Sequence, residues 1–170
     1  MNALDFDEAL AAPMPEARPD SAAPQGLIEG TLGQVLGYQI ARAAISTRKL
    51  FARHIGEPME LKPVDFTILM LLLANDEVTQ KRLCQTLAVS APNLTILLDR
   101  LQRRELVTRV RSETDRRSQH IHLTRKGQAL AKKAQEVALA MEHDLSRALS
   151  QAEKAMLIEL LQKVSRHRRF

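Results

Sequence analysis

Val78-Thr79-Gln80-Lys81-Arg82-Leu83-Cys84-Gln85-Thr86-Leu87-Ala88-Val89-Ser90-Ala91-Pro92-Asn93-Leu94-Thr95 encodes two short helices with a tight turn between them. Thr79 is an N-cap, because its hydroxyl can take an orphan backbone N–H, and it opens a helix over 80–87. Ser90 caps a second helix, and Pro92 falls in its first turn, where a missing N–H is harmless. Leu94, Leu97, Leu98 and Leu101 recur at three- and four-residue steps and carry that helix to about residue 104.

Downstream, 107–111 and 119–123 alternate, with Ile121 and Leu123 facing inward. Ser112-Glu113-Thr114-Asp115-Arg116-Arg117-Ser118 between them is polar and turn-rich, so the spacing predicts a hairpin. Thr124 then caps a long helix through Leu130, Ala134, Val137, Met141 and Leu145, and Ser150-Gln151-Ala152-Glu153 is a capping box that opens a last helix. Upstream, Pro63 suits the first turn of a helix containing Phe66, Ile68, Leu69, Leu71, Leu72 and Leu73. That helix is apolar nearly all round and therefore buried, and Asn75-Asp76 turns the chain after it. Further upstream, Leu32, Val35, Leu36, Ile40, Ala43, Thr47, Leu50, Phe51 and His54 predict a helix of about 24 residues. Gly56 and Pro58 are expected to end it. Residues 1–26 hold four of the seven prolines and a charge of −4, which reads as a disordered acidic tail. The fold class is mainly α with a small β-hairpin wing.

At 170 residues the chain is one domain plus that tail, long enough for a core without staples. A single cysteine cannot form an internal disulfide. The longest apolar run, 68–74, is far short of the roughly 20 residues that span a bilayer. The N-terminus lacks a basic patch followed by an apolar stretch. A soluble, cytoplasmic protein without membrane contact is expected. The charge is uneven: the net of +5 includes +7 within 79–126, where eleven bases face four acids. Such an excess marks either a polyanion-binding surface or a solvated basic face.

No glycine-rich phosphate loop and no nucleophile with a base at motif spacing is present, so an enzyme is disfavoured and no catalytic residue or cofactor is expected. His120 and His122 share one strand face but lack a third ligand, so no metal is expected. Cys84 reads either as a structural thiol packed in the core or as a redox switch.

A helix, a short turn, a helix and a basic hairpin follow the order of a winged helix-turn-helix. Its second helix is thin enough for the major groove of double-stranded DNA and meets base edges near its N-terminus. Ser90, Asn93 and Thr95 lie there, and an asparagine can pair bidentately with adenine. Arg100, Arg103 and Arg104 lie further along and suit phosphates.

The quoted stretch resembles the helix-turn-helix of MarR-type transcriptional regulators. The likeness continues through Leu97-Leu98-Asp99-Arg100-Leu101, Leu106-Val107-Thr108-Arg109, Asp115-Arg116-Arg117 and Leu123-Thr124-Arg125-Lys126-Gly127, with Leu61-Lys62-Pro63-Val64-Asp65-Phe66-Thr67-Ile68-Leu69 upstream. It spans about residues 30–168. The resemblance implies an obligate homodimer on a pseudo-palindrome, more often a repressor. Residues 27–60 and 125–170 would form the helical dimerisation region and 61–124 the DNA-binding lobe. Ser90, Ala91, Pro92, Asn93 and Thr95 would enter the major groove, Arg116 and Arg117 would be the wing-tip arginines, and Asp115 would orient one of them. Two residues depart from the family pattern. Glu105 stands where glycine is usual, which costs little if it is not left-handed, and Lys62 replaces a capping Ser or Thr.

Many proteins of this type release DNA on binding a small aromatic or anionic effector. Gln39, Ser46, Thr47 and His54 fall on the apolar stripe of the first long helix, with Arg42 and Arg53 at its edge. These groups either pair across a dimer interface or line a pocket with Phe51, Phe66 and Met70. In a pocket, Arg42, Arg53 or His54 would favour an aromatic carboxylate. The alternatives are a regulator that senses no ligand and a winged helix that binds protein.

Overall fold

The computed structural model describes residues 27–111 and 119–166. The expected tail, 1–26, lies outside these residues. A short 3-10 turn, Gly30–Gln34, leads into α1, Leu36–Phe51. The helix does not stop at Gly56 or Pro58. It widens into a π-helical turn, Ala52–Gly56, in which the Glu57 N–H donates to the Ala52 carbonyl, and it continues through Glu57–Met59. The wider turn relieves the clash expected between the Pro58 ring and the preceding turn. Burial of Ile55 and Met59 holds the extension in place, and the helix ends at Glu60, which is left-handed at φ 52°.

Helix α2, Pro63–Leu73, buries Ile68, Leu69 and Leu72. Strand β1, Val78–Thr79, precedes α3, Gln80–Leu87, and α4, Ala91–Arg103, follows. Strands β2, Val107–Arg111, and β3, Gln119–Leu123, form the expected hairpin. Strand β1 was not anticipated. It adds antiparallel to β3 through Val78↔Ile121 and Thr79↔His120, giving a three-stranded sheet of order β1-β3-β2. Helix α5, Arg125–Leu145, and α6, Gln151–Arg166, follow.

The expected caps form. The Thr79 hydroxyl accepts from Arg82 N, Ser90 from Asn93 N and Thr124 from Gly127 N. The α2 start is capped despite Lys62, because buried Asp65 accepts the Lys62 backbone N–H at 3.1 Å. Glu105 is left-handed after all, at φ 58°, and so is Ala88 at φ 54°. Each closes its helix: Leu106 N–H reaches the Leu101 carbonyl and Val89 N–H that of Cys84. That geometry normally selects glycine, so both residues carry backbone strain.

The Leu-Thr-x-x-Gly run joins wing to helix. Thr124 Oγ1 donates to the Glu105 carbonyl at 2.6 Å, and its N–H donates to that of Leu106 at 3.1 Å. A Cβ on Gly127 would lie 1.8 Å from the Leu106 oxygen, so only glycine allows this approach. One core results. Leu83, Leu94, Leu98, Leu101, Leu106, Val107 and Ile121 of the lobe are buried together with Ile55 and Met59 from the end of α1 and Ala131 and Ala134 from α5.

Candidate nucleic-acid interface

Helix α4 is seated by Leu94, Leu98 and Leu101, which are fully buried. Its opposite face and N-terminal turn project outward. Ser90, Ala91 and Pro92 are exposed and Asn93 is half-buried. The free N-terminal end therefore presents short side chains, with the Asn93 N–H held by the Ser90 hydroxyl, and short polar groups of this kind suit a base edge. Thr95 lies one turn further along, half-buried. Its hydroxyl donates to the Ala91 carbonyl at 3.0 Å and accepts from Gln80 Nε2 at 3.0 Å. Gln80, on α3, was not singled out from the sequence, yet it touches the helix at this position. Ile96 was also missed. It is 62% exposed on the outer face, off the Leu94–Leu98–Leu101 stripe, and an apolar group there suits a thymine methyl.

Two arginines expected at phosphates are held elsewhere. Arg100 Nη2 pairs with Oδ1 of Asp65, which is 1% exposed. A buried carboxylate needs a cationic partner, and Arg100 is one. Arg104 donates to the Met59 and Glu60 carbonyls. Arg103 remains exposed. On the neighbouring strand, Arg109 Nη2 pairs with Asp99 and also donates to the Thr95 carbonyl at 3.3 Å. Lys81, Arg82, Arg125 and Lys126 add exposed positive charge. Asp115, Arg116 and Arg117 lie outside the described residues.

Within a single chain the nine residues of the expected effector pocket do not all come together. Phe51 and Phe66 meet edge to face at 5.6 Å and, with Met70, pack against the core. Gln39 turns away and donates to the Gly33 carbonyl at 2.8 Å, and Arg42 pairs with Glu29 and lies over the Tyr38 ring. The Thr47 hydroxyl returns to the Ala44 carbonyl at 2.9 Å. Ser46 and Arg53 are exposed and His54 is half-buried. Gln39 and His54 share a helix face but stand about 22 Å apart along it. An open cavity of about 530 Å3 where α1, α4 and α5 meet is lined by other residues, including Met59, Arg104, Leu106 and Lys133.

His120 and His122 stack at 6.3 Å, and no group of three or more metal-ligating side chains occurs among the described residues. Cys84 is free and half-buried against the core. Among the described residues no helix is long and apolar enough to cross a membrane.

Fold and surface together define a winged helix-turn-helix protein built to bind DNA. The sequence matches the signature of the MarR family over residues 60–118. The HTH-type transcriptional regulator PecS of Dickeya dadantii (strain 3937) is 32% identical over 153 residues, 88% of this chain and 87% of that protein. Among solved structures, the transcriptional repressor CouR bound to a 23-mer DNA duplex has a TM-score of 0.77 and 33% identity, covering 82% of this chain and 99% of that one. CouR bound to p-coumaroyl-CoA has a TM-score of 0.73 and 31% identity, covering 85% and 100%. The chain belongs to the MarR family and is a DNA-binding, non-enzymatic transcriptional regulator.

Proposed function

We propose that the chain works in the cytoplasm as a homodimeric repressor on a pseudo-palindromic operator and releases it when a small, acidic, aromatic effector binds. The observation that carries the DNA reading is the N-terminal end of α4, free of the lobe while its apolar face is locked into the core. Ser90, Ala91, Pro92, Asn93 and Thr95 enter the major groove, and Asp115, Arg116 and Arg117 act at the wing. Arg100 leaves this group, since Asp65 holds it.

The dimer reading draws on the outer helices. No residue is buried between Leu36 and Phe51 of α1 or in α6, and Leu36, Ile45, Met156, Leu160 and Val164 are all at least 47% exposed. An apolar surface of that extent calls for a partner. Residues 27–60 and 125–170 supply the dimerisation region and 61–124 the lobe, with the ends of α1 and α5 shared between the two. The effector reading draws on CouR, whose structure with p-coumaroyl-CoA resembles this chain. Phe51 and Phe66, in edge-to-face contact, are the aromatic members of the expected effector set and would offer such a ligand an apolar surface.

Fluorescence anisotropy on the DNA beside its own gene, against scrambled DNA and across salt, tests the reading. Tight binding to the first alone is expected, with Arg117→Ala costing about 1–3 kcal/mol. Equal, weak binding to both would count against it. Calorimetric titration with aromatic acids tests the effector. Absence of heat in the wild type and in His54→Ala alike removes that part of the proposal.

A further inference from the structure

We infer that Arg104 is a positioning residue that locks the recognition helix to the end of α1, and not a phosphate contact. The inference rests on the homodimer reading, because its consequence is felt between two recognition helices. Arg104 caps the C-terminal end of α4. Its Nη2 donates to the Met59 carbonyl at 3.0 Å and its Nη1 to that of Glu60. These are carbonyls left without helical partners where α1 ends, and a cation there also opposes the negative end of the helix. One turn back, Arg100 pairs with Asp65, whose other oxygen accepts the Lys62 N–H. Two arginines on one face of α4 therefore grip both sides of the short connection, 60–62, between α1 and α2.

The grip has a mechanical consequence. Helix α1 carries the exposed apolar face assigned to the partner subunit, and its last turn is buried in the lobe. With Arg104 in place, the end of α1 cannot turn without carrying α4 with it. The angle between α1 and α4 then fixes the separation of two recognition helices, which must match half-sites about 34 Å apart. Two of the five N–H donors of the guanidinium are committed to backbone carbonyls, which fixes its plane against the end of α1 and away from a free reach for phosphate.

The test uses the full chain and an operator duplex selected by the wild type from random-sequence DNA. Companion duplexes carry one base pair more or fewer at the centre. Arg104→Gln is expected to lose about tenfold on the selected operator, the order set by losing charge-assisted hydrogen bonds. Binding to scrambled DNA should stay within about twofold, and the slope of log affinity against log salt should not change. The variant should also discriminate less between the spacings, and Arg104→Lys should fall between it and the wild type. A salt slope lowered by about 0.9 per subunit, with equal loss on all DNAs, would make Arg104 a phosphate contact and overturn the inference. So would an Arg104→Gln protein with unaltered spacing preference. A wild type indifferent to spacing would overturn the homodimer reading, and this inference with it.

Discussion

The lobe and the outer helices solve the burial problem in opposite ways. In the lobe, Leu83, Leu94, Leu98, Leu101, Leu106 and Ile121 are at most 2% exposed, and every layer is filled from within the chain. Between Leu36 and Phe51 of α1, and in α6, no residue is buried, although the first holds two Leu and two Ile and the second is rich in Leu, Ile, Val and Met. Helices of 16 residues are marginal alone, and most helical stability comes from packing an apolar face. The contrast separates a unit whose apolar faces are filled from within the chain from one whose apolar faces stay open, as the proposed dimer requires.

The largest expected effect breaks the lobe. In Gly127→Ala the new Cβ would lie 1.8 Å from the Leu106 oxygen, in backbone rather than in a movable side chain. The start of α5 must back away, undoing the Thr124 bonds to Glu105 and Leu106. A loss of about 3 kcal/mol is expected in urea unfolding, at the upper end of overpacking costs. Loss below about 1 kcal/mol would mean that the approach is looser than described.

A second change should spare the lobe and break the outer region. Leu160→Asp places a carboxylate on the exposed apolar face of α6. Sedimentation should show dimer affinity weakened by about a hundredfold, as for loss of an interface hot spot. The tertiary signals of the lobe should remain. Collapse of the lobe together with the dimer would erase the distinction between the two regions.

How much of this was legible beforehand follows the same divide. Local signals carried well: Thr79, Ser90, Thr124 and Ser150 stand at helix starts, and 107–111 pairs with 119–123 as the expected hairpin. Non-local effects did not carry. Gly56 and Pro58 signal a stop, but burial of Ile55 and Met59 in the lobe overrides them. Strand β1 is two residues long and exists by pairing with a strand some forty residues away. Arg100 reads as a phosphate ligand until Asp65, thirty-five positions earlier, is found beside it. A helical projection gives azimuth but not height, so it could not show that Gln39 and His54 stand about 22 Å apart along α1. The wing-tip residues, 115–117, lie outside the described residues, and their role rests on the motif.

A smaller effect sharpens the lobe further. Ala88 and Glu105 hold left-handed conformations that glycine adopts without strain. Relief of about 1–2 kcal/mol is partly offset by the extra freedom of glycine in the unfolded chain. Ala88→Gly and Glu105→Gly are each expected to stabilise by about 0.5 kcal/mol in urea unfolding. Glu105→Gly should gain slightly less, since it removes a surface pair with Lys126. Destabilisation by both would mean that the left-handed positions are not strained.

The smallest effect belongs to the outer region and depends on pH. Glu153 accepts the Ser150 backbone N–H at 2.8 Å and the Ser150 hydroxyl at 2.7 Å, closing the capping box that starts α6. The backbone bond first, and the hydroxyl second, hold the Glu153 carboxyl below its ordinary 4.5, against a small opposing effect of burial. Its folded value lies below its unfolded value, so the contribution is present above about 4.5 and fades as pH falls through the folded value. The carboxylate is fully solvated, and the readout is therefore local. A carbon-detected titration of the Glu153 carboxyl should give a midpoint below those of exposed glutamates. The amides of the first turn of α6 should lose exchange protection over the same pH range. In Glu153→Gln that pH dependence should vanish while the rest of α6 is unchanged. If protection in α5 faded with the same midpoint, the cap would govern more than its own turn, and the separation of a self-sufficient lobe from an association-dependent outer region would have to be redrawn at the α5–α6 junction.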